Sequence, residues 1–132
     1  MRISLISVLI AVVLAACAGV QSRASFDKDL EKYNELVRWR ELEQASLYAS
    51  APAAVKFKER AEAAKNARVI DYKIIDVKFD EKAREATAVI LFSYYLLNTG
   101  QVSKVTDNQR WVYSEAGSDK GWRLASPLPE FR

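Results

Sequence analysis

The chain predicts an α+β domain: two N-terminal helices packed on a curved four-stranded antiparallel sheet. Three observations carry that expectation. Apolar residues recur at helical spacing from Phe26 to about Ala64, the period switches to two from Arg68 onward, and turn signals then divide the second half into strands.

Ser25 has the character of an N-cap, with Asp27 and Asp29 in a first turn where the helix dipole favours negative charge. The helix it opens is expected to run to about Tyr48. Phe26, Leu30, Tyr33 and Val37 share one face, and Leu36, Trp39 and Leu47 broaden it, so Tyr33 and Trp39 read as core. Ser50-Ala51-Pro52 breaks the pattern and restarts it, because proline is tolerated in a first turn whose N–H has no partner. A second helix follows to about Ala64, with Val55, Phe57, Ala61 and Ala64 as expected buried positions and Asn66 suited to its end. Lys56, Lys58, Arg60 and Lys65 interleave with Glu59 and Glu62 as a solvated face.

Val69 to Phe79 is rich in β-branched residues and reads as the first strand. A charged connection over 80–85 leads to a long strand from Ala86 to Leu97. Asn98-Thr99-Gly100-Gln101 turns the chain into a third strand, Val102 to Ser114, alternating around Val105, Trp111 and Tyr113. Gly117 to Gly121 is a second turn. A short fourth strand begins Trp122-Arg123-Leu124-Ala125 and is closed by Pro127 and Pro129. The second strand is apolar on both parities: Ala88, Ile90, Phe92, Tyr94 and Leu96 on one, Val89, Leu91, Tyr95 and Leu97 on the other. Helices cover one face only. Large bare apolar patches are rare on monomers, so a homodimer through the other sheet face is expected.

The first residues form a separate unit. Arg2 begins a short positive region, Ile3 to Leu14 is apolar, and Leu14-Ala15-Ala16-Cys17 has the pattern of a bacterial lipobox. The apolar stretch is shorter than the roughly 20 residues a membrane-spanning helix needs. Cys17, the sole cysteine of 132 residues, occupies the position that such proteins lipidate. The expected organisation is a signal peptide over 1–16, lipidated Cys17 and a tether over 17–25, and a single domain over 26–132. Two or three acyl chains anchor stably where one binds reversibly. Ala18, rather than aspartate, after the cysteine favours the outer membrane, with the domain facing the periplasm.

Composition removes whole classes of chemistry. The sequence has no histidine, which excludes Ser-His-Asp and Cys-His catalysis and most zinc sites. Once Cys17 is lipidated no thiol remains for a disulfide or a nucleophile. Cleavage before Cys17 would leave 116 residues with 19 Lys+Arg against 17 Asp+Glu, and the excess is too slight and too dispersed for nucleic-acid binding. No cofactor or metal site is expected. Acid–base work would fall to carboxylates such as Asp71 and Asp76, which strand parity places on opposite faces.

Helix, helix, then long strands carrying Gln109-Arg110-Trp111-Val112-Tyr113 and Gly121-Trp122-Arg123-Leu124 resembles the nuclear transport factor 2-like superfamily over roughly 26–126. It looks most like the small lipid-anchored bacterial members. The resemblance implies a cone of helices and curved sheet around an apolar pocket, with dimers through the outer sheet face. Candidate pocket residues are Tyr72, Tyr94, Arg110 and Trp111, although Trp111 reads first as a core or interface residue and Arg110 as a surface residue paired with Glu115 or Asp107. The function expected is a non-catalytic binding module for a small apolar ligand or an envelope protein partner. The alternatives are an assembly subunit of an outer-membrane complex, or a carboxylate-dependent isomerase or dehydratase.

Overall fold

In the computed structural model, which describes residues 22–132, an α-helix already runs at residue 22 and continues to 38 (α1). The expected signal peptide and Cys17 lie outside the described residues. Ser25 is therefore inside α1 and is not its N-cap, and residues 22–25 of the expected tether are helical. Phe26, Leu30, Tyr33, Leu36 and Val37 form the buried face as their spacing requires.

The helix does not reach Tyr48. Arg40 adopts a left-handed conformation (φ 60°), and two backbone bonds close the end: Glu41 N–H to Leu36 O at 2.8 Å and Arg40 N–H to Val37 O at 3.1 Å. This is the bond pattern of a Schellman cap, built with arginine where glycine is usual. What compensates is the guanidinium, whose Nη1 donates to the carbonyls of Ala64, Lys65 and Ala67. The break puts Trp39 and Leu47 outside the core, 63% and 72% exposed. A short helix α2 (Leu42–Ser46) and then α3 (Ala51–Ala63) follow, so three helical segments stand where two were expected. In α3 the buried line is Ala53 and Phe57, continued by the C-cap residue Ala64; Val55, two residues from both Ala53 and Phe57, is 69% exposed.

The sheet has four antiparallel strands in the order β1-β2-β3-β4: β1 (Ala67–Asp80), β2 (Glu85–Leu96), β3 (Val102–Ser114) and β4 (Gly121–Leu124). Its β4 edge is covered, because Leu124 N–H bonds Tyr48 O at 2.7 Å and Ser50 N–H bonds Leu124 O at 2.8 Å. Among the described residues the β1 edge carries no further strand.

Burial decides which face of β2 packs inward. Ala86, Ala88, Ile90, Phe92 and Tyr94 are buried beneath the helices. Ala86 and Ala88 stand opposite Trp111 and Gln109 of β3, so small residues on one strand leave room for large ones on the next. Phe26 packs edge-on against Trp111 and Trp122, and Tyr33 against Phe57 and Trp111. On the other face, Val89, Leu91 and Tyr95 are half-buried rather than bare. Register places Asp76 and Asn108 beside Val89, Lys73 and Thr106 beside Leu91, and Arg68 and Val102 beside Tyr95. Lys73 and Arg68 can shelter Leu91 and Tyr95 with their methylene stems.

Beyond β4 the chain continues along β3 (Ala125 N–H to Arg110 O, 2.7 Å) and then crosses the open end of the helical side. Leu128 and Phe131 are buried there, with Phe131 edge-on to Phe92 and Tyr94. Arg60 Nη1 holds the crossing by donating to Leu128 O at 3.0 Å.

Candidate functional site

Three of the four expected pocket residues share the inner face of the sheet, but they line no common hollow. Tyr72 stands opposite Phe92 and donates to Glu35 Oε1 at 3.0 Å; burial first, and that bond second, push its phenol up to about 12. Tyr94 lies under the C-terminal segment, where its hydroxyl accepts from Arg132 N–H at 3.0 Å. Trp111 is fully buried at the centre of the aromatic cluster. Arg110 is exposed, on the opposite face from its neighbour Trp111, as strand alternation requires. The four residues therefore line no common hollow: Trp111 is core and Arg110 lies at the surface, as the sequence favours for both.

The space that a hollow cone would leave is occupied. Phe26, Tyr33, Phe57, Phe92, Trp111 and Trp122 are each almost fully buried and belong to one core cluster, with Phe26, Tyr33, Phe57, Trp111 and Trp122 linked ring to ring. Each such ring contributes on the order of 2 kcal/mol by leaving water. The depressions at the surface, one of about 850 Å³ between α2 and α3 and one of about 360 Å³ beside β3, open to solvent.

Inside the core sits a polar group that the sequence did not announce. Asn34, Gln109 and Asp107 are 0%, 1% and 5% exposed. Gln109 Nε2 donates to Asn34 Oδ1 and to Asp107 Oδ2, both at 2.8 Å, while its Oε1 accepts from Trp111 Nε1 at 3.1 Å. Asn34 Nδ2 in turn donates to Leu30 O at 2.8 Å, tying the group to α1. The Tyr33 hydroxyl is buried with no partner, and desolvation, aided by Asp107, raises its pKa well above the ordinary value. Desolvation also raises Asp107 to about 6, against the lowering effects of the Gln109 bond and the Arg60 charge. A carboxyl titrating there has the proton affinity of a general base near neutral pH. Its interior neighbours are amides, an indole and the Tyr33 phenol, whose raised pKa keeps it protonated.

Asp107 forms one wall of the 360 Å³ groove between β3 and the C-terminal segment, with Arg60, Asn108, Ser126, Glu130 and Arg132 around it. Glu130 occupies both cations there, Arg60 at 3.6 Å and Arg132 at 2.5 Å. The strand alternation held the signal for Asp107, since it shares parity with Val105 and Trp111. Its charge pointed the other way.

Asp71 and Asp76 are corrected too. Register shifts at Val69/Asp71 and Ile74/Asp76 put an extra residue between them, so they oppose Ser93 and Val89 on the same outer face. Both are exposed, far from the interior position a general base would need. Among the described residues no cluster of three or more metal-ligating side chains occurs, and no helix is long and apolar enough to cross a membrane. No protein-family model matches the chain, and neither the curated proteins nor the solved structures contain a significant match.

Proposed function

We propose that this chain is a lipid-anchored envelope protein of the nuclear transport factor 2-like kind, whose domain is a non-catalytic binding module for a protein partner. Anchoring through Cys17 in the outer membrane would leave the domain facing the periplasm, close to its membrane. The observation that carries the choice of a protein partner over a small apolar ligand is the filled interior. Fully buried Trp111, Tyr33 and Phe57 leave recognition to the surface. Flat aromatic area with a polar tip suits that use. Trp39 provides it, 63% exposed yet held by its Nε1 bond to Glu35 at 3.0 Å and by the Arg38 guanidinium 4.4 Å from its ring centroid.

Two measurements on cells and purified protein test the reading. In a Gram-negative host, labelled fatty acid should enter the wild-type protein and not Cys17→Ser, and the variant should leave the membrane fraction. A fluorescent fatty acid titrated against the purified protein should show no saturable binding. Saturable binding with one ligand per chain would replace the surface reading with a cavity one, and a Cys17→Ser protein that keeps the label would remove the anchor.

A further inference from the structure

We infer that the free edge of β1 is a homodimer interface, in which two copies pair antiparallel about a two-fold axis between Ile74 and Ile75 and join their sheets. This goes beyond the binding reading above and does not depend on the anchor. Among the described residues the sheet has one uncovered edge, since Tyr48 and Ser50 occupy the other. At the start of β1 that edge is capped, the carbonyls of Ala67 and Val69 accepting from Arg40 and Arg38. From Ile70 to Asp80, among the described residues, no side chain bonds the β1 backbone. An uncapped strand edge is a template for another strand, and proteins that avoid pairing blunt it with lysines, bulges or inward-pointing charges.

Strand β1 does carry two bulges and two lysines, but it has no inward-pointing charge, and its lysines alternate with aspartates. The two register shifts bring Asp71, Lys73, Asp76 and Lys78 onto the outer face in strictly alternating sign. Among the described residues none of the four forms an ion pair within the chain. An alternating series of even length is complementary to its own reverse. With the axis between Ile74 and Ile75, Lys73 stands opposite the second copy's Asp76, and Asp71 opposite its Lys78, each pair occurring twice by symmetry. The same register sets Ile74 opposite the second copy's Ile75. Both are unusually bare for isoleucines, 45% and 58% exposed, and pairing would shelter them together at the axis. Charge complementarity and the exposed isoleucines thus select one occupant, a second copy of this chain, and one register.

Charge reversal with mixing tests it on the full chain in detergent, by native mass spectrometry. The wild type is expected to be dimeric at roughly 50 µM, where an interface of modest area should be populated. Lys73→Asp and Asp76→Lys each place like charges opposite one another, and each should weaken self-association roughly tenfold or more. Both positions are exposed, so both variants should keep the wild-type circular dichroism. Mixed together, the two should pair, because the carboxylate introduced in one variant then faces the ammonium introduced in the other. Three outcomes overturn the proposal: a monomeric wild type, which leaves the edge to an extended peptide of another protein; a dimer untouched by either reversal; or two folded monomeric variants that do not pair on mixing.

Discussion

Asp107 illustrates how a single side chain can oppose the fold that holds it. Its carboxyl is 5% exposed and titrates near 6 rather than 3.8 because burial disfavours the charged form more than the Gln109 bond and the Arg60 charge favour it. The folded state therefore holds the proton more tightly than the unfolded chain. Below about pH 3.8 the contribution of this group to stability is fully present, and it is lost as pH rises through about 6. A shift of about 2 units corresponds to roughly 3 kcal/mol. Asp107→Asn keeps an oxygen for Gln109 without the charge, so it should be more stable than the wild type at pH 7 by about 2 kcal/mol. The gap should narrow toward pH 4. Urea unfolding of both proteins at the two pH values would show it, and parallel curves would mean that Asp107 is not the titrating group.

At the scale of the element, the junction of α1 and α2 depends on one arginine acting in two ways. Arg40 carries the left-handed backbone that ends α1, at a cost of about 1 kcal/mol for a residue with a side chain. Its guanidinium then satisfies carbonyls at the end of α3 and the start of β1, binding three elements at one point. Arg40→Ala should lose those bonds and keep the strain, for a loss of about 2 kcal/mol. Arg40→Gly loses the bonds but releases the strain, and should fall between, about 1 kcal/mol above the alanine variant. Thermal unfolding of the three proteins orders them. If glycine proved more stable than the wild type, the carbonyl contacts would contribute little.

Over the whole molecule, one core joins both ends of the described chain. Phe26 of α1 touches Trp111 and Trp122, while Phe131, next to the last residue, touches Phe92 and Tyr94. Residues 22–132 are thus expected to fold without the residues before them and to unfold in one transition, as domains of this size usually do. Shortening the chain to end at Pro127 would uncover Phe92 and Tyr94 and cost about 3 kcal/mol or more, the range for removing a buried aromatic side chain. Coincident near- and far-ultraviolet circular dichroism transitions check the first expectation, and a shifted denaturation midpoint checks the second. A separate early transition for α1 would show that the helix is not part of the cooperative unit.

The α+β class, the four strands and the bounds of β3, Val102–Ser114, were legible in the amino-acid order because period and turn residues are local properties. So was the buried face of α1 from Phe26 to Val37. What the order left open was decided by packing across distance. The end of α1 was hidden because its cap uses Arg40, which only the carbonyls of distant Ala64 and Ala67 make workable. The parity of Asp71 and Asp76 was misread because the extra residue between them, Ile75, exists only in register with β2. Either face of β2 was apolar enough to be the inner one. The neighbours that β1 and β3 supply selected Phe92 over Leu91, since Lys73 and Thr106 flank Leu91 while Tyr72 and Val105 flank Phe92. Asp107 was missed for the converse reason. A charge in a strand reads as solvent-facing until Gln109 and Asn34, the latter 73 positions before it, meet beside it and make its burial tolerable.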